Sequence, residues 1–135
     1  MAGIAADNDT QGQFDRLIFI FESDEWQEVW ESLNLSVESF ETLKLAHKAK
    51  DIDVWKACQK AEVMLVTGNR KGKGADSLEV AIRALNEANS FPVFTLADPT
   101  QVMKSWPYAR RVAESFLDYL EDWNGLRGTG RIWLP

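Results

Sequence analysis

The stretch MLVTGNRKGKGADSLEVAIRAL, Met64–Leu85, joins an apolar segment to a helical segment through a basic, glycine-rich loop. It predicts a strand over Val63–Val66 and a helix over Ser77–Ala88. The apolar residues of the second segment recur at helical spacing: Leu78, Ala81, Ile82 and Leu85. A strand that leads directly into a helix is the unit from which parallel sheets are built.

Outward from this unit, the chain alternates strand patterns with helix patterns. The run LIFIF, Leu17–Phe21, is continuous and apolar, which is typical of a strand buried on both faces. The other predicted elements are a helix from Glu25, a weakly patterned strand within Val37–Leu45, a helix over Ile52–Ala61, a strand over Phe91–Ala97, a long helix after Pro99 that Pro107 divides, and a last strand at RIWLP. This order predicts an α/β fold, a three-layer α/β/α sandwich with a mostly parallel central sheet.

The domain organisation follows from composition and length. Residues Met1–Gln13 are small, polar and acidic, so we predict a flexible tail there and a single domain over residues 14–135. A chain of 135 residues with 45% hydrophobic residues has the size of one compact domain. No apolar run is long enough to cross a bilayer and no signal-type segment is present, so the sequence predicts a protein that is neither secreted nor membrane-spanning.

Charge and residue counts exclude several classes of function. A net charge of −6 argues against passive binding of polyanions, so nucleic-acid binding would need a local basic patch or bridging cations. Cys58 is the only cysteine, which excludes an intramolecular disulfide and a thiolate zinc site and fits a reducing, cytoplasmic compartment. His47 is the only histidine and there is no G-x-S-x-G motif, so an acyl-transfer triad has little support. We interpret His47 as a surface or half-buried residue.

Acidic residues dominate the positions that follow the predicted strands. In open α/β sheets, ligands bind outside the carboxyl ends of the strands. Glu22, Asp24 and Glu25 follow the first predicted strand, and the segment Thr67–Asp76 follows Val63–Val66. Carboxylates that converge without His or Cys suit hard cations such as Mg²⁺ or Mn²⁺. The sequence therefore predicts a divalent-cation site at this edge of the sheet.

Four short stretches carry a resemblance to a known family. They are MLVTGNR (Met64–Arg70), DSLE (Asp76–Glu79), DIDVW (Asp51–Trp55) and GTGRIWLP (Gly128–Pro135). Together they resemble a small bacterial branch of the PIN-like domains, and the likeness spans roughly Leu17–Pro135. The resemblance implies a compact α/β domain and metal-dependent cleavage of RNA, with toxins of toxin–antitoxin pairs among the family members.

The resemblance also implies a set of site residues. Its acidic positions correspond to Glu22 or Asp24, to Asp51 with Asp53 as second choice, and to Asp76. These are the expected catalytic residues, and Glu22, Asp51 and Asp76 are the expected ligands of Mg²⁺ or Mn²⁺. Asn69 lies where many family members carry an acid, and its carbonyl can assist the cation.

The basic loop has three interpretations, one of which is a phosphate-sensing or nucleotide-binding domain that uses this loop without a ribose- or base-reading motif. Arg70, Lys71 and Lys73, together with Asn69, can receive an RNA backbone beside the metal, because glycine-rich turns before a helix hold phosphates well. The loop is not a P-loop, since the G-x-x-x-x-G-K-[ST] spacing is missing. The structural alternative is a solvated loop whose glycines only satisfy turn geometry.

The acids have structural interpretations as well. Asp76 with Glu79 forms a capping box, and Asp51 can be the N-cap of its own helix. Glu22 and Asp24 can stabilise the start of the following helix through their interaction with the helix dipole. The alternative function is therefore a catalytically degenerate PIN-like domain that acts as a protein-interaction module. Its partner would be an antitoxin or a complex subunit, and a homodimer stays open. Three tryptophans without core spacing are candidates for the partner-binding surface: Trp106, Trp123 and Trp133.

Overall fold

A computed structural model describes residues 2–68 and 77–135. Within these residues, five parallel strands form one sheet in the order β2-β1-β3-β4-β5. The strands are β1 (Gly3–Ala6), β2 (Ser36–Val37), β3 (Val63–Thr67), β4 (Val93–Leu96) and β5 (Arg131–Leu134). The helices are α1 (Gln11–Phe21), α2 (Gln27–Ser32), α3 (Asp51–Ala61), α4 (Leu78–Leu85), α5 (Pro99–Lys104) and α6 (Trp106–Glu121), with short 3-10 turns at Asn8–Thr10 and Trp123–Leu126.

Helices cover both faces of the sheet, which confirms the predicted three-layer α/β/α sandwich. On one face, α1, α2, α5 and α6 bury side chains against alternate strand residues such as Ile4, Met64 and Phe94. On the other face, α3 and α4 pack against the intervening residues, among them Ala5 and Leu65. Side chains of a strand alternate between faces, so each strand contributes to both cores. Among the described helices, none is long and apolar enough to cross a membrane.

The beginning of the fold differs from the prediction. Gly3–Ala6 is not part of a tail but forms β1, which lies between β2 and β3 and is fully buried. LIFIF is not a strand but the end of α1, where Phe14, Leu17 and Phe21 face the core. The spacing of these three residues is helical, while Phe19 between them is 64% exposed. A short apolar run does not by itself distinguish a strand from a buried helix segment.

The other predicted elements agree better with the structure. The predicted helices near Glu25 and over Ile52–Ala61 correspond to α2 and α3, and the predicted strands over Val63–Val66 and Phe91–Ala97 correspond to β3 and β4. The weakly patterned segment Val37–Leu45 contributes only its first residue to β2, and turns follow. The long helix divides at Ser105, whose hydroxyl caps α6 just before Pro107.

The last crossover has the opposite hand to the one before it. β3 to β4 and β4 to β5 step in the same direction across the sheet. However, α4 lies on the face of the second core, whereas α5 and α6 lie on the α1 face. Two crossovers with the same direction and opposite faces have opposite hands. Because the last crossover passes over the α1 face, Trp133 on the α4 face of β5 is left 50% exposed.

Candidate functional site

A pocket of about 600 Å³ opens at the carboxyl ends of β1 and β3. The sheet grows in opposite directions from this point, because β2 lies on one side of β1 and β3 to β5 lie on the other. Such a switch point is where open α/β sheets form their ligand crevice. The pocket is lined by Asp7, Asn8, Asp9, Thr10, Phe40, His47, Lys48, Ala49, Asp51, Val54, Gly68 and Pro99.

Asp7 is the first residue after β1 and lines this pocket. Its Oδ2 accepts a hydrogen bond from the hydroxyl of Thr67, the last residue of β3. The Thr67 side chain is itself fully buried, so it holds the carboxylate in one orientation. The second oxygen, Oδ1, is buried and has no hydrogen-bond partner within residues 2–68 and 77–135. A buried carboxylate oxygen without a hydrogen-bond donor destabilises the folded state, and a bound cation would offset this cost.

The electrostatic environment disfavours the charged form of Asp7. Burial raises the pKa of its carboxyl above the usual 3.8. The nearby hydroxyl groups of Thr10 and Thr67 lower the pKa in part, because they stabilise the carboxylate. The neighbouring carboxylates of Asp9 and Asp51 raise it again. The carboxyl groups of Asp7, Asp9 and Asp51 therefore meet at this pocket, whose lining also includes Lys48.

Asp51 brings a further carboxylate to the pocket, beside those of Asp7 and Asp9. It is the first residue of α3, and Lys50 rather than Asp51 takes the N-cap position, so the expected capping of its own helix is wrong. The carboxylate Oδ2 instead accepts a hydrogen bond of 3.3 Å from the backbone N–H of Leu78, at the start of α4. This side chain thus joins the first turns of two helices and lines the pocket between them.

Asn8 and His47 join two walls of the pocket. The Asn8 amide nitrogen lies 2.6 Å from the backbone oxygen of His47 and 3.1 Å from its ring Nδ1. His47 belongs to the loop before α3, whereas Asn8 belongs to the turn after β1. The interpretation of His47 as a surface residue agrees with its exposure, yet its position on the pocket was not predicted.

The predicted acids Glu22 and Asp24 lie elsewhere. α1 begins at the carboxyl end of β1 and runs back across the sheet, so the residues after it lie at the opposite edge from the pocket. Both side chains are exposed there, and the adjacent Glu25 pairs with Arg110 at 2.8 Å. The structure therefore does not bring Glu22 or Asp24 to Asp51. The second-choice residue Asp53 is exposed on α3 and does not line the pocket.

The other predicted residues lie outside the described part of the chain: Asn69, Arg70, Lys71, Lys73 and Asp76. Their two flanks are described. Gly68 lines the pocket, and Ser77 is the N-cap of α4, with its hydroxyl accepting a hydrogen bond of 3.2 Å from the N–H of Val80. Glu79 pairs with Arg131 at 3.1 Å and with Arg83 at 3.4 Å, whereas the other member of the expected capping box, Asp76, lies outside the described residues.

Comparisons with models of protein families, with curated proteins and with solved structures found no match to this chain. The geometry of the pocket is therefore the basis for assigning a function.

The described carboxylates of the pocket are too few to hold a metal ion without further ligands such as water or substrate phosphates. No group of three or more His, Cys, Asp or Glu within residues 2–68 and 77–135 is arranged to hold a metal ion. Asp7 and Asp51 supply two carboxylates, and Mg²⁺ is commonly bound through one or two carboxylates, several waters and substrate phosphates. The buried Oδ1 of Asp7 is the atom best placed to accept such an ion.

The residue that the sequence analysis missed is Asp7. The segment GIAADND places two acids and an amide directly after four small or apolar residues, which is the pattern of a buried strand that ends at a site. The absence of large apolar side chains concealed the strand, and the acid at its end was overlooked with it. The contact of Asn8 with His47 spans 39 residues and has no counterpart in any local pattern.

Proposed function

We propose that this chain cleaves RNA phosphodiester bonds with Mg²⁺ or Mn²⁺ held by Asp7 and Asp51. The observation that carries the proposal is the buried Oδ1 of Asp7, which has no hydrogen-bond partner in the described residues and shares its pocket with a second carboxylate. Two neighbouring carboxylates in a partly desolvated site repel each other, and a divalent cation offsets both the repulsion and the lost hydration.

Asp7 and Asp51 would hold the cation, and hydrogen bonds within the protein fix the orientation of both carboxylates. A bound cation supplies a water of lowered pKa and a Lewis acid for a phosphate oxygen. Thr67 fixes the orientation of Asp7, and the N–H of Leu78 fixes that of Asp51, so both acids are oriented before the ion binds. Oriented ligands lower the free-energy cost of assembling the site.

Features of the pocket support a nucleic-acid substrate. Its volume of about 600 Å³ accommodates a nucleotide, and Phe40 provides an aromatic side chain on which a base can stack. The basic segment with Arg70, Lys71 and Lys73 begins directly after Gly68, which lines the pocket. We therefore keep the proposal that these residues and Asn69 steer the RNA backbone. The lone, buried Cys58 suits a reducing cytoplasm, where such a substrate is available.

A second candidate function is a protein-interaction module that has lost catalysis. The observation that favours it is an exposed aromatic pair on the helical face away from the pocket. Phe19 is 64% exposed, Trp106 is 48% exposed, and their ring centroids lie 6.0 Å apart. Exposed aromatic groups are enriched at protein interfaces, so a partner protein or a second copy of this chain would bind here. Trp123 is a poorer candidate, because it stacks on Phe91.

Cleavage of a labelled single-stranded RNA with Mn²⁺, with Mg²⁺ and with a chelator tests the first proposal. We expect metal-dependent cleavage that Asp7→Asn and Asp51→Asn abolish. Asp24→Asn is the matched control, since it removes the same charge at the opposite edge of the sheet, and it should cleave like the wild type. Cleavage that survives Asp7→Asn, or that needs no metal, would overturn the assignment of the site. Absence of cleavage in the wild type would favour the interaction module.

A further inference from the structure

The contact between Asn8 and His47 fixes the position of the imidazole proton. The Asn8 side-chain atom 2.6 Å from the carbonyl oxygen of His47 must be the amide nitrogen, because an amide oxygen there would face another acceptor. The same nitrogen lies 3.1 Å from Nδ1 of the ring, and its second hydrogen is available for that atom. Nδ1 is therefore the acceptor, and the neutral ring carries its hydrogen on Nε2.

This tautomer defines what the ring can bind. Nδ1 is occupied by Asn8, and Nε2 carries a hydrogen, so neither nitrogen offers a lone pair to a metal ion. His47 is exposed and lines the pocket that also contains Asp7 and Asp51. In this tautomer Nε2–H is a hydrogen-bond donor, which suits a phosphate oxygen rather than a metal ion.

We propose that His47 is a substrate-binding residue that donates its Nε2 hydrogen to a phosphate oxygen of RNA in this pocket, with Asn8 as the positioning residue that holds the tautomer. The inference rests on the proposed function. It assigns the end of the pocket formed by the loop before α3 to the phosphate, and the end formed by the two carboxylates to the metal. Asn8 directly follows Asp7, so one turn after β1 orients both the metal ligand and the phosphate donor.

Nitrogen NMR tests the tautomer without ambiguity, because His47 is the only histidine of the chain. In the neutral ring we expect Nδ1 at the shift of an unprotonated nitrogen and Nε2 at that of a protonated one. Asn8→Ala removes the donor to Nδ1 and should produce a mixture of both tautomers. A protonated Nδ1 in the wild type would overturn the proposal.

RNA binding tests the contact itself. The probe is a fluorescent uridine oligoribonucleotide, with Ca²⁺ in place of Mg²⁺ to slow hydrolysis. His47→Ala should lower its affinity about ten- to a hundredfold, whereas His47→Gln, whose amide N–H reaches the position of Nε2–H, should stay within about threefold of the wild type. Asn8→Ala should give an intermediate loss together with the altered nitrogen shifts.

The outcomes separate this inference from the proposed function. Unchanged binding by His47→Ala, or equal losses in His47→Ala and His47→Gln, would overturn the role of His47 alone. Failure of the wild type to bind the oligoribonucleotide would overturn both proposals. Retained folding of each variant is checked by the amide NMR spectrum, so a loss caused by unfolding is recognised.

Discussion

Replacement of Asp7 by asparagine separates the charge of the proposed metal ligand from its shape. The asparagine side chain of this variant can still accept the hydrogen bond from Thr67, while its amide hydrogens take the place of the buried, unpartnered oxygen. The pKa of Asp7 is raised in the folded state, so its contribution to stability is present below the unfolded value of 3.8 and is lost as pH rises through the folded pKa. Without metal at neutral pH, Asp7→Asn should therefore be at least as stable as the wild type.

Metal should reverse this order. A cation at 100 times its dissociation constant stabilises the folded state by about 2.7 kcal/mol. An unfolding entropy of about 2.1 cal/mol/K per residue over 135 residues gives roughly 0.28 kcal/mol/K for the whole chain. The bound cation should therefore raise the midpoint temperature of thermal unfolding by roughly 10 °C. If loss of the carboxylate weakens binding about a hundredfold, the same concentration stabilises the variant by only about 0.4 kcal/mol, or roughly 1.5 °C.

Differential scanning calorimetry with and without Mn²⁺ measures both effects. Asp24→Asn should keep the full metal-induced shift, because Asp24 lies at the opposite edge of the sheet. The shift in the wild type should also decrease as the pH is lowered towards the raised pKa of Asp7, since protons then compete with the cation. Equal shifts in the wild type and in Asp7→Asn would refute the assignment of Asp7 as a metal ligand.

Three further predictions concern α3, which begins at the pocket with Asp51 and packs against the sheet along its length. Asp51→Ala removes the acceptor for the N–H of Leu78 and should lower the free energy of unfolding by about 1 kcal/mol, most of which Asp51→Asn recovers; equal urea midpoints for the two variants would contradict this. Gln59→Leu leaves both the N–H and the carbonyl of Phe91 without their side-chain partner, so it should lower the free energy of unfolding in urea by about 2–4 kcal/mol. A decrease below about 0.5 kcal/mol would show that Gln59 does not stabilise the fold through these two bonds. Burial raises the pKa of Cys58 to about 12, so its thiol should react with a thiol reagent only after unfolding. Rapid labelling of the native protein would show that the Cys58 thiol is accessible to solvent in the folded state.

The fold could be predicted wherever local pattern and tertiary environment agree. β3 consists of large apolar residues followed by a threonine and a glycine, and α4 has a regular apolar stripe, so both were evident from the sequence. β1 was not, because helices approach it from both faces and its residues are small. LIFIF has the composition of a strand, but its position within a longer helical spacing decides its conformation.

The error in the first strand determined the error in the site. Once LIFIF was placed in the sheet, the acid after the first strand had to be Glu22 or Asp24, and the true occupant of that position, Asp7, fell in the supposed tail. Asp51 was identified because its place at a helix start is local. Its hydrogen bond to Leu78 depends on the approach of two helices, which sequence spacing does not encode.

The central position of β1 has a consequence for synthesis on the ribosome. Gly3 pairs with Val63 in the middle of the sheet, 60 residues further along the chain. At a translation rate of about 5–20 residues per second, roughly 3–12 s pass between the synthesis of β1 and that of its neighbour β3. Nascent chains should therefore acquire resistance to proteolysis only after β3 has left the exit tunnel, and slowing translation before that point should prolong their exposure to chaperones.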